Sequence, residues 1–239
     1  MRVDVKIQGE GKPILFLPGV GGIYHNSYNT FLKKLRHSYK VIDILYPGFG
    51  EKPALKQASL KSYTNCILEA IEELGLDKFL LVGHSLGGTM SLLLHKAIPN
   101  KIYSTIAISP AVAFQDSLFK YLVVSYKEAQ ESNSILKQKG LPIPPTIFRI
   151  STLKHIKGLL GLKDLLKDLQ KNNLTVYDQT KPLFILLGSQ DDLLGYKAQL
   201  NAVNQIEGVE VVTYPDEGHY LIQQLPDEVA GFIHRVYPS

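Results

Sequence analysis

The stretch from Leu81 to Gly88, LVGHSLGG, places a serine between two glycines directly after a run of strand-forming residues. Gly83-His-Ser85-Leu-Gly87 fits the pattern G-x-S-x-G, which is specific when a strand precedes it and a helix follows. A serine at the tip of such a sharp turn needs small neighbours, and the two glycines supply the space. The N-terminus of the following helix directs N–H groups towards the same point. The motif therefore predicts that Ser85 is a nucleophile rather than an incidental polar residue of a glycine-rich turn.

Short apolar runs alternate with helical patterns along the rest of the chain. The runs are continuous rather than alternating, which indicates a parallel sheet covered on both faces, and the strand–helix alternation predicts a doubly wound α/β fold. The predicted strands are Ile14–Leu17, Lys40–Leu45, Phe79–Val82, Ile102–Ile108, Leu183–Leu187 and Val209–Tyr214, with Val3–Ile7 as a candidate edge strand. Helices are predicted near Tyr28–Leu35, Leu60–Leu74, Gly88–Ala97, Tyr196–Ile206 and Asp227–Val236.

One region, residues 114–178, carries helical patterns without a convincing strand. It is interpreted as a helical cap inserted into a sheet domain that is built from residues 1–113 and 179–239. Its second helical pattern has an apolar stripe at helical spacing, formed by Ile156, Leu159, Leu160, Leu166 and Leu169. The stripe either packs over the sheet or meets a membrane surface, and packing is preferred because the core must be covered.

Composition limits the function classes. The 239 residues are within reach of one large α/β domain. Lys and Arg number 26 against 22 Asp and Glu, and without a dense basic cluster we expect no nucleic-acid partner. The single cysteine, Cys66, excludes an intrachain disulfide. No signal-peptide layout and no apolar run of about 18 residues is found, so a soluble cytoplasmic protein without stable membrane insertion is expected; the oligomeric state is left open.

A serine hydroxyl needs a base, and the base needs an acid that orients it. The chain order Ser…Asp…His predicts both partners downstream, and each follows a later strand. The strand PLFILLG runs into Gly188-Ser-Gln-Asp191-Asp192, and the strand VEVVTYPDEG runs into Gly218-His219. Because the carboxyl ends of parallel strands hold the active site of an open α/β sheet, we predict His219 as the base. Asp191 is preferred as the acid, with Asp192 as the alternative.

The other histidines compete poorly for the role of base. His84 adjoins Ser85, so its side chain should project elsewhere, and His25 lies near the glycine-rich turn without an acid candidate beside it. The remaining four lie in predicted helices, before a strand or in the cap: His95, His234, His37 and His155.

Acyl transfer also needs backbone donors for a developing oxyanion. The N–H of Leu86, the residue after the nucleophile, is the first predicted donor, and Val20 in the loop Pro18-Gly-Val-Gly-Gly22 is the second. The same loop could cradle a phosphate, but it lacks the Lys-Ser/Thr of a P-loop and the last glycine of G-x-G-x-x-G.

With these residues in place, the whole chain resembles the α/β-hydrolase superfamily in its serine esterase/lipase branch. FLPGVGG resembles the oxyanion loop of that family, GHSLGG its nucleophile turn, GSQDDLL its acid loop and GHYLIQQLPDEV its histidine loop. The acid-loop likeness supports Asp191. Two departures concern the subfamily: Pro18 stands where many members have histidine, and Leu45 stands where an aspartate often precedes YPGFGEKP.

The resemblance implies a carboxylesterase that acts on short- to medium-chain acyl esters or monoacylglycerol-like substrates without metal or organic cofactor. A thioesterase or a C–C bond hydrolase fits the same three residues. A ligand-binding receptor of this fold with feeble turnover is the alternative from another class. A serine nucleophile argues against epoxide hydrolases and haloalkane dehalogenases, which use aspartate there.

Overall fold

The computed structural model describes residues 2–20, 28–49, 51–113, 118–143, 164–165, 167–168 and 181–239. In this part of the chain seven strands form one sheet in the spatial order β1–β3–β2–β4–β5–β6–β7. The strands are β1 Asp4–Gln8, β2 Lys12–Leu17, β3 Tyr39–Leu45, β4 Phe79–His84, β5 Ile102–Ile108, β6 Leu183–Gly188 and β7 Val209–Tyr214. Among these seven described strands only β1 runs antiparallel, paired with β3, while the other neighbouring pairs are parallel. The predicted mostly parallel α/β sheet is confirmed.

The following α-helices flank this sheet in the described ranges. They are α1 Asn29–Leu35, α2 Leu60–Glu73, α3 Leu86–Ala97, α4 Leu118–Gln138, α5 Tyr196–Val203, α6 Leu221–Gln224 and α7 Pro226–Val236. Local sequence signals mark several of their ends. Ser59 caps α2 and exchanges hydrogen bonds with Ser62 in a capping box, and Pro226 begins α7, where its missing N–H costs nothing.

The core lies on both faces of the sheet because successive strand residues point to opposite sides. In β2, Leu15 and Leu17 pack in one cluster with α2 and α3, whereas Ile14 and Phe16 pack in a second cluster with α1 and α7. A third cluster joins β5 and β6 to α3 and α5. The central strands β2, β4 and β5 are thereby buried on both faces, which is why their sequences are continuous apolar runs.

Of the proposed cap, the structure describes α4 and a few further positions. The first helical pattern extends to Gln138, and Leu122 and Val124 pack against the first core cluster. The second helical pattern, apart from four positions, lies outside the described residues, and the cap boundaries stay a prediction. None of the helices in the described ranges is both long and apolar enough to cross a bilayer.

Candidate active site

Ser85 occupies the turn between β4 and α3 with φ 54° and ψ −118°, a left-handed conformation that is rare for a residue with a side chain. Its N–H donates to the Ile108 carbonyl at 2.9 Å, which ties the turn to β5. The flanking glycines are needed because backbone atoms lie very close. A Cβ on Gly83 would lie 2.1 Å from the Gly87 oxygen, and one on Gly87 would lie 2.0 Å from the Leu17 oxygen.

The structure brings the three side chains predicted from the sequence into one hydrogen-bonded series. His219 Nδ1 lies 2.8 Å from Asp191 Oδ2, and His219 Nε2 lies 3.0 Å from Ser85 Oγ. Asp191 Oδ1 accepts a hydrogen bond from the Leu194 N–H at 3.0 Å. The neighbouring Asp192 is exposed and contributes its backbone N–H, not its carboxylate, to the loop contacts. Of the two aspartates, Asp191 is therefore the one that contacts His219.

Asp191 and His219 lie in two loops that pack against each other. The Asp191 loop (residues 189–194) follows β6, and the His219 loop (residues 215–220) follows β7. The Gln190 N–H donates to the Glu217 carbonyl at 2.8 Å. A Cβ on Gly188 would lie 2.3 Å from the same carbonyl oxygen, so only glycine fits where the loops meet. Adjacent parallel strands thus bring distant parts of the sequence together at one edge of the sheet.

The charged neighbours of His219 raise its pKa, although burial of the ring alone would lower it. Burial by itself lowers the pKa of His219, which is 2% exposed, but the charge and hydrogen bond of Asp191, together with the charge of Glu128, leave that pKa raised. An imidazolium at this position is stabilised by its carboxylate neighbours. The arrangement suits a group that accepts a proton and then releases it.

The two predicted oxyanion donors, Leu86 and Val20, lie in the backbone segments next to Ser85. The first helical bond of α3 runs from Thr89 N–H to the Ser85 carbonyl, so the Leu86 amide precedes it and has no acceptor within the helix. The loop after β2 passes directly beside Ser85: a Cβ on Gly19 would lie 2.9 Å from Ser85 Cβ. Val20 follows and packs on the first core cluster. The Gly19 amide is already bonded to the Tyr28 hydroxyl, so Val20 remains the proposed second donor.

A buried network that the sequence did not reveal joins three of the loops around Ser85. The Tyr28 hydroxyl accepts from the Gly19 N–H at 2.9 Å and lies 2.8 Å from His84 Nδ1. His84 Nε2 lies 2.9 Å from the His219 carbonyl oxygen. Burial and the neighbouring His219 lower the pKa of His84 to about 3, so its ring is neutral. A neutral ring with its proton on Nε2 donates to the His219 carbonyl and accepts from Tyr28, which satisfies every member.

The two ring nitrogens of His84 contact the Tyr28 hydroxyl and the His219 carbonyl oxygen, so this histidine belongs to the network. Among the other histidines, His95 is buried with Nδ1 2.9 Å from Thr105 Oγ1, and His234 lies beside Tyr39. His25 and His155 lie outside the described residues. Glu128 of α4, a second buried carboxyl next to the site, was also absent from the sequence-based candidates.

We expect Tyr28→Phe to lower the free energy of unfolding by about 1–3 kcal/mol, because the Gly19 amide and His84 Nδ1 lose their buried partner. The measurement is urea unfolding followed by circular dichroism. Tyr103→Phe is the matched control, since Tyr103 is 50% exposed and its change should stay within about 0.5 kcal/mol. Equal stability of the two variants would contradict the importance of the network.

Comparisons with known proteins agree with this architecture. Residues 12–131 match the family described as the alpha/beta hydrolase fold. A Mycoplasma pneumoniae protein, provisionally named an esterase/lipase, is 26% identical over an alignment of 217 positions that covers 85% of this chain and 79% of that protein. An enol-lactonase from Burkholderia xenovorans LB400 superimposes with a TM-score of 0.78 at 13% identity, covering 99% of this chain and 96% of its own. An esterase from Exiguobacterium antarcticum gives 0.74 at 18% identity, with coverage of 99% and 96%.

The family match spans half of the chain, and the structural likeness extends over nearly all of it. At these identities the solved structures establish the fold, and the relatives support a hydrolase of the esterase/lipase kind as the general class of enzyme. The chain belongs to the α/β-hydrolase fold family.

Proposed function

We propose that this protein is a serine hydrolase that cleaves carboxylic esters through an acyl-enzyme on Ser85. The observation that carries the proposal is the buried series from Ser85 Oγ through His219 to Asp191, with distances of 3.0 Å and 2.8 Å. A nucleophile within hydrogen-bonding distance of a base, with the base in turn oriented by a carboxylate, is the geometry of acyl transfer.

In the first half of the reaction, Ser85 Oγ attacks the acyl carbonyl carbon while His219 Nε2 takes the hydroxyl proton. Asp191 holds the Nδ1–H tautomer and stabilises the imidazolium that forms. The N–H groups of Leu86 and Val20 donate to the carbonyl oxygen as it becomes negative, and each such donor is worth about 3 kcal/mol of barrier. The imidazolium then protonates the departing alkoxide, and the acyl group stays on Ser85.

In the second half, a water molecule replaces the alcohol. His219 removes a proton from the water as its oxygen attacks the acyl carbon, and the bond to Ser85 Oγ breaks with return of that proton to the serine. The products are a carboxylic acid and the free enzyme. No step in this sequence needs a metal or an organic cofactor.

An apolar acyl group is proposed because apolar residues are neighbours in the chain of the proposed reacting groups. Leu86, Leu193 and Leu194 belong to the first core cluster, and Val20 and Leu122 pack against it. Leu193 and Leu194 directly follow the Asp191–Asp192 pair, so apolar side chains and the proposed reacting groups occur in the same loop. Short- to medium-chain esters and monoacylglycerol-like molecules match this chemistry.

The test is the initial rate of hydrolysis of p-nitrophenyl esters from acetate to palmitate, with Ser85→Ala protein as the blank. We expect turnover well above the blank, with a maximum among the short to medium acyl chains. The chain length at the maximum measures the acyl pocket. A rate that equals the blank for every ester would contradict the proposal.

Parallel substrates separate the other reactions that the same three groups could perform. Acyl thioesters cleaved faster than the matching oxygen esters would indicate a thioesterase. Thermal stabilisation by an ester that is not turned over would indicate a ligand-binding protein of this fold.

A further inference from the structure

Glu128 is a buried carboxyl of α4 that contacts the Asp191 loop. The residue is 6% exposed, and its Oε1 accepts hydrogen bonds from the N–H groups of Asp192 at 2.7 Å and Leu193 at 2.8 Å. Buried glutamates are rare unless a partner holds them, because taking a carboxylate out of water is costly. A buried Glu128 next to the proposed site therefore needs a structural or functional explanation.

The two amides held by Glu128 directly follow Asp191 in the chain. The next N–H, of Leu194, donates to Asp191 Oδ1. Glu128 and Asp191 thus share three consecutive amides of the loop and fix its course. Without Glu128, two N–H groups at partly or fully buried positions would lose their acceptor, and the loop could relax away from His219.

The same helix also holds the His219 loop. The Tyr220 side chain is hydrogen bonded to Ser125, and Lys139, just beyond the end of α4, pairs with Glu217 at 3.8 Å. Lys139 Nζ donates in addition to the Gln224 carbonyl at 3.2 Å. One helix of the proposed cap therefore contacts both loops that carry the partners of Ser85.

The second oxygen of Glu128 faces the His219 loop. Oε2 lies 4.0 Å from where a Cβ on Gly218 would be, and it has no hydrogen-bond partner among the described residues. The pKa of Glu128 is raised to about 7, mainly by burial and also by the charge of Asp191, while His219 opposes this rise. In return, the charge of Glu128 raises the pKa of His219. The titratable groups that face Glu128 are thus Asp191, His219 and Tyr220, whose pKa burial raises to about 12.

We propose that Glu128 is a positioning residue, which holds the Asp191 loop in contact with His219 and whose carboxylate, when ionised, stabilises the His219 imidazolium. It acts through the other residues and does not touch the reacting atoms. The inference rests on the proposed function, because a His219 imidazolium is an intermediate only if Ser85 gives up its proton.

The comparison of two substitutions separates the hydrogen bonds of Glu128 from its charge. Glu128→Gln keeps an oxygen that accepts from the Asp192 and Leu193 amides but removes the charge. Glu128→Ala removes both. The control is Glu131→Gln, which deletes a negative charge three residues away on the same helix, from an exposed pair with Lys127.

Two measurements read out the effect. The first is the titration of His219 by NMR of protein with 13C-labelled histidine, with the signal assigned by comparison with His219→Asn. The second is kcat/KM for the best ester as a function of pH. Circular dichroism verifies that each variant is folded.

We expect Glu128→Gln to lower the pKa of His219 and to move the acidic limb of kcat/KM to lower pH. The sign follows because a lost negative charge disfavours the imidazolium, so His219 stays neutral and active in more acidic solution. Glu128→Ala should in addition lower kcat by about 10- to 100-fold through misplacement of Asp191. Glu131→Gln should match the wild type in both measurements.

An unchanged His219 titration in Glu128→Gln would overturn the electrostatic role, and full kcat in a folded Glu128→Ala would overturn the positioning role. Failure of the proposed function gives a different result: Ser85→Ala would then retain ester turnover or the wild type would have none. The NMR titration does not depend on turnover and tests the coupling of Glu128 to His219 in either case.

Discussion

Replacing Ser85 with alanine is expected to lower kcat for ester hydrolysis by a factor on the order of 10⁶. The reason is that the proposed acyl-enzyme has no other oxygen on which to form. Alanine has a Cβ like serine, so the backbone strain at φ 54° and the packing against Gly19 are unchanged. The measurement is the initial rate with the ester that the wild type hydrolyses fastest.

Covalent labelling tests, independently of turnover, whether Ser85 is the nucleophile. A fluorophosphonate should add its mass to the peptide that contains Ser85 in the wild type and should leave Ser85→Ala unmodified. The alanine variant should unfold at a temperature close to that of the wild type. Turnover that survives in a folded Ser85→Ala would remove Ser85 from the mechanism.

Asp191→Asn is the second large effect, with an expected fall in kcat on the order of 10⁴. The asparagine oxygen can continue to accept from the Leu194 N–H, which places the NH2 group against His219 Nδ1. Two donors cannot face each other, so the imidazole must carry its proton on Nε2, where it can no longer accept from Ser85. The Asp191 loop therefore keeps its conformation, but His219 is held in a tautomer that cannot act as the base.

Asp192→Asn is the matched control for this substitution. The Asp192 side chain is exposed and its contribution to the loop is the backbone N–H, so we expect kcat near that of the wild type. The two variants should be compared at a pH where the wild-type rate is constant. A larger loss in Asp192→Asn than in Asp191→Asn would reassign the acid.

Much of the fold, and the proximity of Ser85, His219 and Asp191, could be predicted because they follow from short-range rules. Strands such as β4 and β5 are continuous apolar runs, and the carboxyl ends of parallel strands meet at one edge of the sheet. Asp191 and His219 each follow such a strand within a few residues. The strand order alone therefore predicts that Asp191 and His219 lie near Ser85.

Tyr28 and Glu128 could not be found in this way. Each acts through a contact with residues more than fifty positions away in the chain, Tyr28 with His84 and Glu128 with Asp192. Neither residue belongs to a motif, and neither lies at the end of a strand. Glu128 on an amphipathic helix has the pattern of an ordinary solvent-facing residue. Only the packing of α4 against the Asp191 loop distinguishes it from Glu131.

The helix α6, which begins two residues after His219, was also not foreseen, because four residues are too few for a periodic signal. The neighbouring α7 was predicted one residue late, at Asp227 rather than Pro226, although proline is common in the first turn of a helix.

The left-handed backbone at Ser85 has a consequence for how this protein could evolve or be engineered. A serine there costs on the order of 1 kcal/mol or more relative to a relaxed conformation, and glycine would adopt the same angles freely. Selection for thermal stability alone, in a library that is never assayed for turnover, would therefore tend to replace Ser85 by glycine. With Ser85 as the proposed nucleophile, stability and catalysis are opposed at this one position, and a screen for a more stable enzyme must keep the serine.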